Sequence, residues 1–215
     1  MKTTNVPYLR DCPNWSDDIL PQHVVMFRAL LASVQQKILA TAAQRLVDVE
    51  DVFDWHKALF EKFVPIPCYA GRFRGDDHKC LRQNVSIGDV QGLDWQFVTS
   101  ETQRLFRLVR HDLHDLELNW QAISPRDRAL RLAVLAANLV CGFIRIHPFI
   151  NGNGRSSRLL WRWALHRFGV PAQVREHPRP GPPYPDVMAA AMRGDARPCV
   201  RLVLEHLALH RPDVR

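Results

Sequence analysis

Twelve residues, His147 to Arg158, bring together a proton acceptor, a turn able to hold an anion and two arginines: His-Pro-Phe-Ile-Asn-Gly-Asn-Gly-Arg-Ser-Ser-Arg. Pro148 disfavours the α conformation at His147, so a helix arriving through Phe143–Ile146 is expected to stop there. The Gly152-Asn153-Gly154 turn allows positive φ and a close backbone approach to a ligand. Successive N–H groups in such a turn form an anion nest, and the helix that follows adds its N-terminus to the same anion. Arg155 and Arg158 stand three apart and project from one face of that helix. Two guanidinium forks beside a nest suit a polyphosphate better than a lone carboxylate.

The segment resembles the signature of the Fic family, His-x-Phe-x-(Asp or Glu)-Gly-Asn-Gly-Arg-x-x-Arg, with Asn151 at the acidic position. Ala70-Gly-Arg-Phe-Arg74, followed by Asn84-Val-Ser-Ile-Gly88, is similar to the β-hairpin flap over that family's active site. Tyr184-Pro-Asp-Val-Met with Gly194-Asp195 and Pro198 is similar to the segment that follows its signature helix. The likeness covers roughly residues 50 to 207. It implies an all-α fold, a Fic-type helical bundle carrying a short β-hairpin flap.

It also implies an activity: transfer of AMP from ATP to a Ser, Thr or Tyr hydroxyl of a target protein. His147 would be the general base, since a near-neutral imidazole can take the hydroxyl proton. Gly152, Asn153, Gly154, Arg155 and Arg158 would hold the phosphates. Asn151 would be the one protein ligand of Mg²⁺, weaker than a carboxylate. Tyr184 would lie near the base or ribose, and Val85, Ser86, Ile87 and Gly88 would dock the target through backbone pairing. Two alternatives stay open: phosphoryl transfer, because the Doc branch of the family also carries Asn at this position, or another phosphate-linked transfer; and a nucleotide-binding interaction protein without catalysis.

Composition bounds the rest. With 215 residues, 47% of them hydrophobic, the chain can bury one good core. One domain is expected over 21–210, with an N-terminal extension, 1–20, and a tail, 211–215. No uninterrupted apolar run reaches bilayer length, since Asn138 breaks the best one, Ala133–Ile144, and no apolar leader follows Lys2. Neither a membrane nor an export signal is therefore expected. Five scattered cysteines without a Cys-x-x-Cys are expected as reduced thiols in a cytoplasmic protein. The net charge of +7 is spread along the chain without a nucleic-acid-binding motif. It is read as a solvated face and not as a nucleic-acid surface, with steering of anionic partners left open. His111 and His114, with Asp112 and Asp115, are read as an exposed helix end and not as a metal site.

Many Fic proteins carry an inhibitory Ser/Thr-x-x-x-Glu-Gly/Asn helix. No Ser or Thr here has Glu four residues on followed by Gly or Asn. Either a separate antitoxin-like protein supplies that control, the version favoured here, or the weak metal site at Asn151 limits activity; residues 1–20 are expected to be dispensable for activity.

The elements that must position the signature are helical. Phe27, Leu31, Val34 and Ile38 mark a helix within 22–47, and Val52, Trp55, Leu59 and Phe63 mark one over 50–63 that Pro65 ends. A β-capable stretch, 68–90, fits the flap, and a helix is expected over 94–117. Ser124-Pro-Arg-Asp127 looks like a capped helix start with Pro at the first position. It launches a helix whose Leu130, Val134, Ala137, Cys141 and Ile144 should form one core stripe and whose end delivers His147. The signature helix should span about 153–168, with two short helices, about 184–193 and 197–209, after a Pro-rich linker.

Overall fold

The computed structural model describes residues 11–209 apart from 88 and 173. Gly88 of the expected flap, residues 1–10 of the N-terminal extension and the tail 211–215 therefore lie outside the described residues. Among the described residues the chain forms seven α-helices: α1 Val24–Gln44, α2 Val49–Phe60, α3 Trp95–Asn119, α4 Pro125–Ile146, α5 Asn153–Arg167, α6 Tyr184–Met192 and α7 Arg197–Leu209. Two strands, β1 Ser86–Ile87 and β2 Val90–Gln91, pair antiparallel, with Ser86 opposite Gln91 and Ile87 opposite Val90.

Helices α2, α3 and α4 start where the sequence supplies a side-chain partner for the first N–H groups. Asp48 and Asp51 form a reciprocal capping box at α2. Asp94 caps α3 by accepting from the Gln96 N–H. At α4, Ser124 Oγ accepts from the Asp127 N–H and Pro125 fills the first position, as its sequence predicts.

Helix α4 is the centre of the fold, packed by α3, α5, α6 and α7, while α1 lies on α5 and α2. The expected stripe of α1 is buried at Phe27, Leu31, Val34 and Ile38 and runs on to Ala42. Helix α2 buries Val52, Trp55, Leu59 and Phe60 but ends at Phe60, three residues before its expected end. The expected stripe of α4 needs correction: Ala137, Cys141 and Ile144 are buried, whereas Leu130 and Val134 are exposed. Nearly every side of α4 is apolar, so periodicity alone does not say which strip ends up outermost; Leu130 and Val134 line a surface recess with Asp112, Asp115 and Leu116 of α3. By length and composition, Pro21–Gln44 and α4 are each apolar enough to cross a bilayer, yet most of α4 is buried in this bundle.

The stretch 68–90 is less β than expected. Only 86–91 forms the hairpin, extended by a Gly92 N–H to Val85 C=O bond of 2.9 Å. Residues 67–83 fold into turns that bury Phe73, Arg74, Cys80 and Leu81. The five-thiol expectation is also corrected. Cys12 and Cys80 are joined in a disulfide with Cα atoms 5.4 Å apart, while Cys68, Cys141 and Cys199 are free. The two bonded cysteines are 68 residues apart in sequence, and only the folded chain brings them together.

Candidate active site

The end of α4 sets the site. Its last residue hands over to His147, whose φ of 54° and ψ of 60° are left-handed. The helix does stop at the residue before Pro148, but by this turn and not by the extended backbone expected before a proline. Among the described residues His147 is the one non-glycine with positive φ. Such strain persists only where surrounding bonds over-determine it. Here the His147 N–H bonds Phe143 C=O, and Nδ1 lies 3.1 Å from Ile144 C=O. A carbonyl only accepts, so Nδ1 carries the proton and Nε2 is the ring's acceptor. Burial, reinforced by the nearby Arg74 charge, pushes the imidazole pKa down to about 4, against a pull upward from the Ile144 carbonyl. The ring is therefore neutral throughout the physiological range.

The turn that follows is built around its own side chains. Gly152 has φ of 79°, and a Cβ there would come within 2.7 Å of Phe60 and 2.8 Å of His56. The Asn153 amide is engaged at both ends by Phe149: Oδ1 accepts from its N–H and Nδ2 donates to its C=O, each at 2.9 Å. That side chain shapes the loop, and what Asn153 offers an anion is its backbone N–H at the start of α5. The first N–H groups of a helix have no preceding turn to accept them. With the positive end of the α5 dipole, they favour a phosphate.

Arg155 and Arg158 are both buried on the same side of α5. The Arg155 guanidinium lies over the rings of Phe27 and Phe60 and donates through Nη1 to the carboxylate and backbone carbonyl of Asp17. Arg158 lies over the Tyr184 ring, 5.3 Å from its centroid, and donates to Glu176 C=O at 3.2 Å. The Glu176 carboxylate itself is taken by Arg162 and Gln35. Among the described residues no carboxylate is ion-paired with Arg158. Tyr184 is buried beneath Arg158, with its hydroxyl 3.4 Å from Ser157 Oγ.

Asn151 is held by the protein at both ends. Its Oδ1 accepts from the Gly152 N–H at 2.8 Å, and Nδ2 donates to Trp15 C=O at 2.9 Å. No group of three or more His, Cys, Asp or Glu that could hold a metal occurs among the described residues. The second lone pair of Asn151 Oδ1 leaves room for one bond to a cation whose other ligands are phosphate and water.

These parts line one cleft of about 600 Å³, a size that suits a nucleotide. His147, Asn151, Asn153, Gly154, Arg155, Arg158 and Tyr184 all face it, and Val85, Ser86, Ile87, Asp89 and Val90 of the hairpin form its roof. A Cβ on Gly92 would meet Val85 at 3.3 Å and the His147 Cβ at 3.5 Å, so a glycine lets the hairpin base sit against the histidine. Pro185, Met188 and Met192 give one end an apolar wall.

A profile of the Fic/DOC family matches residues 46–165. The chain belongs to that family. It is 40% identical over 174 residues to a protein adenylyltransferase Fic of Drosophila grimshawi, an overlap covering 78% of this chain and 30% of that one. With the Caenorhabditis elegans protein adenylyltransferase fic-1 the identity is 26% over 160 residues, or 74% of this chain and 27% of the relative. The chain spans less than a third of the length of the curated relatives it matches. Its fold is that of a Fic domain-containing signaling protein from Bacteroides thetaiotaomicron, with a TM-score of 0.63, 17% identity, and coverage of 91% of this chain and 74% of the other.

Four residues of this Fic domain site went unread in the sequence. Asp17 and Arg179, ion-paired to each other, come from segments far from the signature. His56, fully buried, accepts the Gly71 N–H at Nδ1 and donates from Nε2 to Asn151 C=O, both at 3.0 Å. Arg74 is buried behind His147. Only Arg74 carried a usable signal, since the alternation Arg72-Phe73-Arg74 places one arginine outward and one inward.

Proposed function

We propose that this chain transfers AMP from ATP to a hydroxyl side chain of a protein. The observation that carries the reading is the placement of a neutral histidine with a free ring acceptor beside a helix N-terminus and two buried arginines, under one hairpin. The curated relatives are named protein adenylyltransferases, and a Bartonella tribocorum effector with a similar fold was solved with AMPPNP bound.

The step follows from the groups present. The target hydroxyl oxygen attacks the α-phosphorus while its proton passes to His147 Nε2. The bond from the α-phosphorus to the bridging oxygen breaks, and pyrophosphate leaves with the electron pair. Negative charge on the phosphates meets the Asn153 and Gly154 N–H groups and the Arg155 guanidinium. Arg158, held over Tyr184, takes the terminal phosphate and so fixes which phosphorus faces the histidine. Mg²⁺, with Asn151 Oδ1 as its protein ligand, would neutralise phosphate charge when bound. Val85, Ser86 and Ile87 present a short strand edge on which an extended target segment can pair. A separate antitoxin-like protein remains the proposed source of control, since Arg158 is open to a glutamate offered from outside.

The test uses ATP labelled at either end. Label from the α position should appear on protein and label from the γ position in pyrophosphate. His147→Ala should lower transfer by about 10²- to 10⁴-fold with little change in ATP affinity. Label from the γ position on protein would establish phosphoryl transfer instead, and neither label on any protein of the native cell extract would leave a nucleotide-binding module.

A further inference from the structure

The largest charged side chain buried outside the cleft is that of Arg74, at 0% exposure. It has no ion-pair partner among the described residues; it is satisfied by carbonyls. Its Nε donates to His147 C=O at 2.8 Å, Nη2 to Ile146 C=O at 2.9 Å and Nη1 to Gln83 C=O at 3.2 Å. Its backbone N–H takes Pro148 C=O at 2.7 Å. One residue thus accounts for three consecutive carbonyls, 146 to 148, at the end of α4. Those carbonyls carry the negative end of the helix dipole, where a cation is favourable.

We infer that Arg74 is the positioning residue for His147: by binding the carbonyls of 146, 147 and 148 it holds the left-handed turn that aims the imidazole into the cleft.

The alternatives for that task are weak. Proline at 148 excludes the α region at His147 but would leave the ordinary extended backbone open. The Phe143 and Ile144 carbonyls fix the His147 N–H and ring only once the turn exists. Arg74 is itself anchored, since the neighbouring turn closes through a Gly75 N–H to Leu81 C=O bond of 2.8 Å. A lysine at 74 could reach one carbonyl at a time, because its ammonium is a point charge and not a planar fork. Arg74 lies behind the imidazole, and the charged residues lining the cleft with it are Asp17, Asp89, Arg155, Arg158, Arg179 and Arg193. Of these, the Arg74 charge is the one that opposes protonation of the ring.

The inference rests on His147 being the base, and the test separates the two. Transfer rate, ATP affinity by calorimetry and the His147 NMR titration are measured for Arg74→Lys, Arg74→Met, His147→Ala and the double variant His147→Ala with Arg74→Met. Arg74→Lys should lower kcat about 100-fold at unchanged ATP affinity and leave the His147 titration in place, because the charge remains. Arg74→Met should lower kcat at least as far and move that titration upward. In the His147→Ala background, Arg74→Met should cost nothing more. A kcat within about threefold of the parent in both single variants overturns the inference. So does an equal further loss in the double variant, or ATP affinity falling in step with rate. If Arg74→Met fails to fold, Arg74→Lys decides alone. Should His147→Ala retain full transfer, the proposed base is wrong; an Arg74-dependent shift of the His147 titration would still support the positional role.

Discussion

Asp17 and Arg155, 138 residues apart in the chain, form a buried ion pair at the edge of the cleft, with 7% and 2% of their side chains exposed. The other carboxylate oxygen of Asp17 takes Arg179, which also reaches Asp18 at 3.0 Å. Segment 11–18 is fastened across the domain by the Cys12–Cys80 bond, by Tyr69 Oη to Pro13 C=O and by Asn151 to Trp15 C=O. An arginine suited to a phosphate thus carries an internal carboxylate in its place.

Asp17→Asn should destabilise the protein yet make it respond more strongly to nucleotide. Removing one partner of a buried pair leaves an uncompensated charge and costs on the order of 3 kcal/mol. A bound phosphate restores the missing counter-charge in the variant but has to share Arg155 with Asp17 in the parent. Thermal melts should show a lower Tm without ATP and a larger ATP-induced rise. An unchanged or smaller rise would mean that Asp17 and the nucleotide do not meet at Arg155.

How much of this was legible depends on the distance over which each residue acts. Helices announced themselves because spacing, caps and prolines are local: α1, α5, α6 and α7 fall within a few residues of their expected bounds. The signature loop was legible for the same reason, as His147, Gly152 and Arg158 lie within one turn and one helix. Asp17 was not, since nothing in a Pro- and Asp-containing stretch tells which of many arginines it will meet. The left-handed turn at His147 was hidden because it depends on Arg74, 73 residues upstream. Cys12 and Cys80 lacked a motif, and their pairing exists only once segment 11–18 lies on the 79–81 turn.

Acid should weaken the fold before it protonates any carboxylate. Burial lowers the His56 pKa to about 3, and His147 sits at about 4, against 6.5 for both in the unfolded chain. Between these limits the unfolded state binds the extra protons, so stability is full above about pH 6.5 and falls as pH drops toward 4. At pH 5 each histidine should cost about 2 kcal/mol. Denaturant midpoints measured from pH 8 to 5 should decline, and His56→Gln should flatten the decline at a lower starting stability. A pH-independent midpoint across this range would show that the fold holds neither ring neutral.

The Cys12–Cys80 bond closes a long loop, and loss of such a constraint costs about 4 kcal/mol in the chain-entropy account. Cys12→Ser should therefore lower the denaturant midpoint, and thiol counting under denaturing conditions should find three free thiols in the parent. Five reactive thiols in the purified protein would mean that segment 11–18 is held by its hydrogen bonds and ion pairs alone.

Asn151→Asp tests the departure at the heart of the signature. A carboxylate at 151 keeps the bond from the Gly152 N–H, strengthened by charge, and restores an anionic ligand for a cation held on the phosphates. It cannot donate, so the 2.9 Å bond to Trp15 C=O becomes a repulsion between two acceptors. Two consequences should separate. The Mg²⁺ concentration for half-maximal transfer should fall, because the ligand gains charge. Stability without nucleotide should fall by about 1–2 kcal/mol, because Trp15 loses its donor. Asn151→Ala removes both functions and should raise the Mg²⁺ requirement while producing a similar loss of stability. If Asn151→Asp raises the Mg²⁺ requirement as well, the amide serves only to fasten segment 11–18, and position 151 is not a metal ligand in this chain.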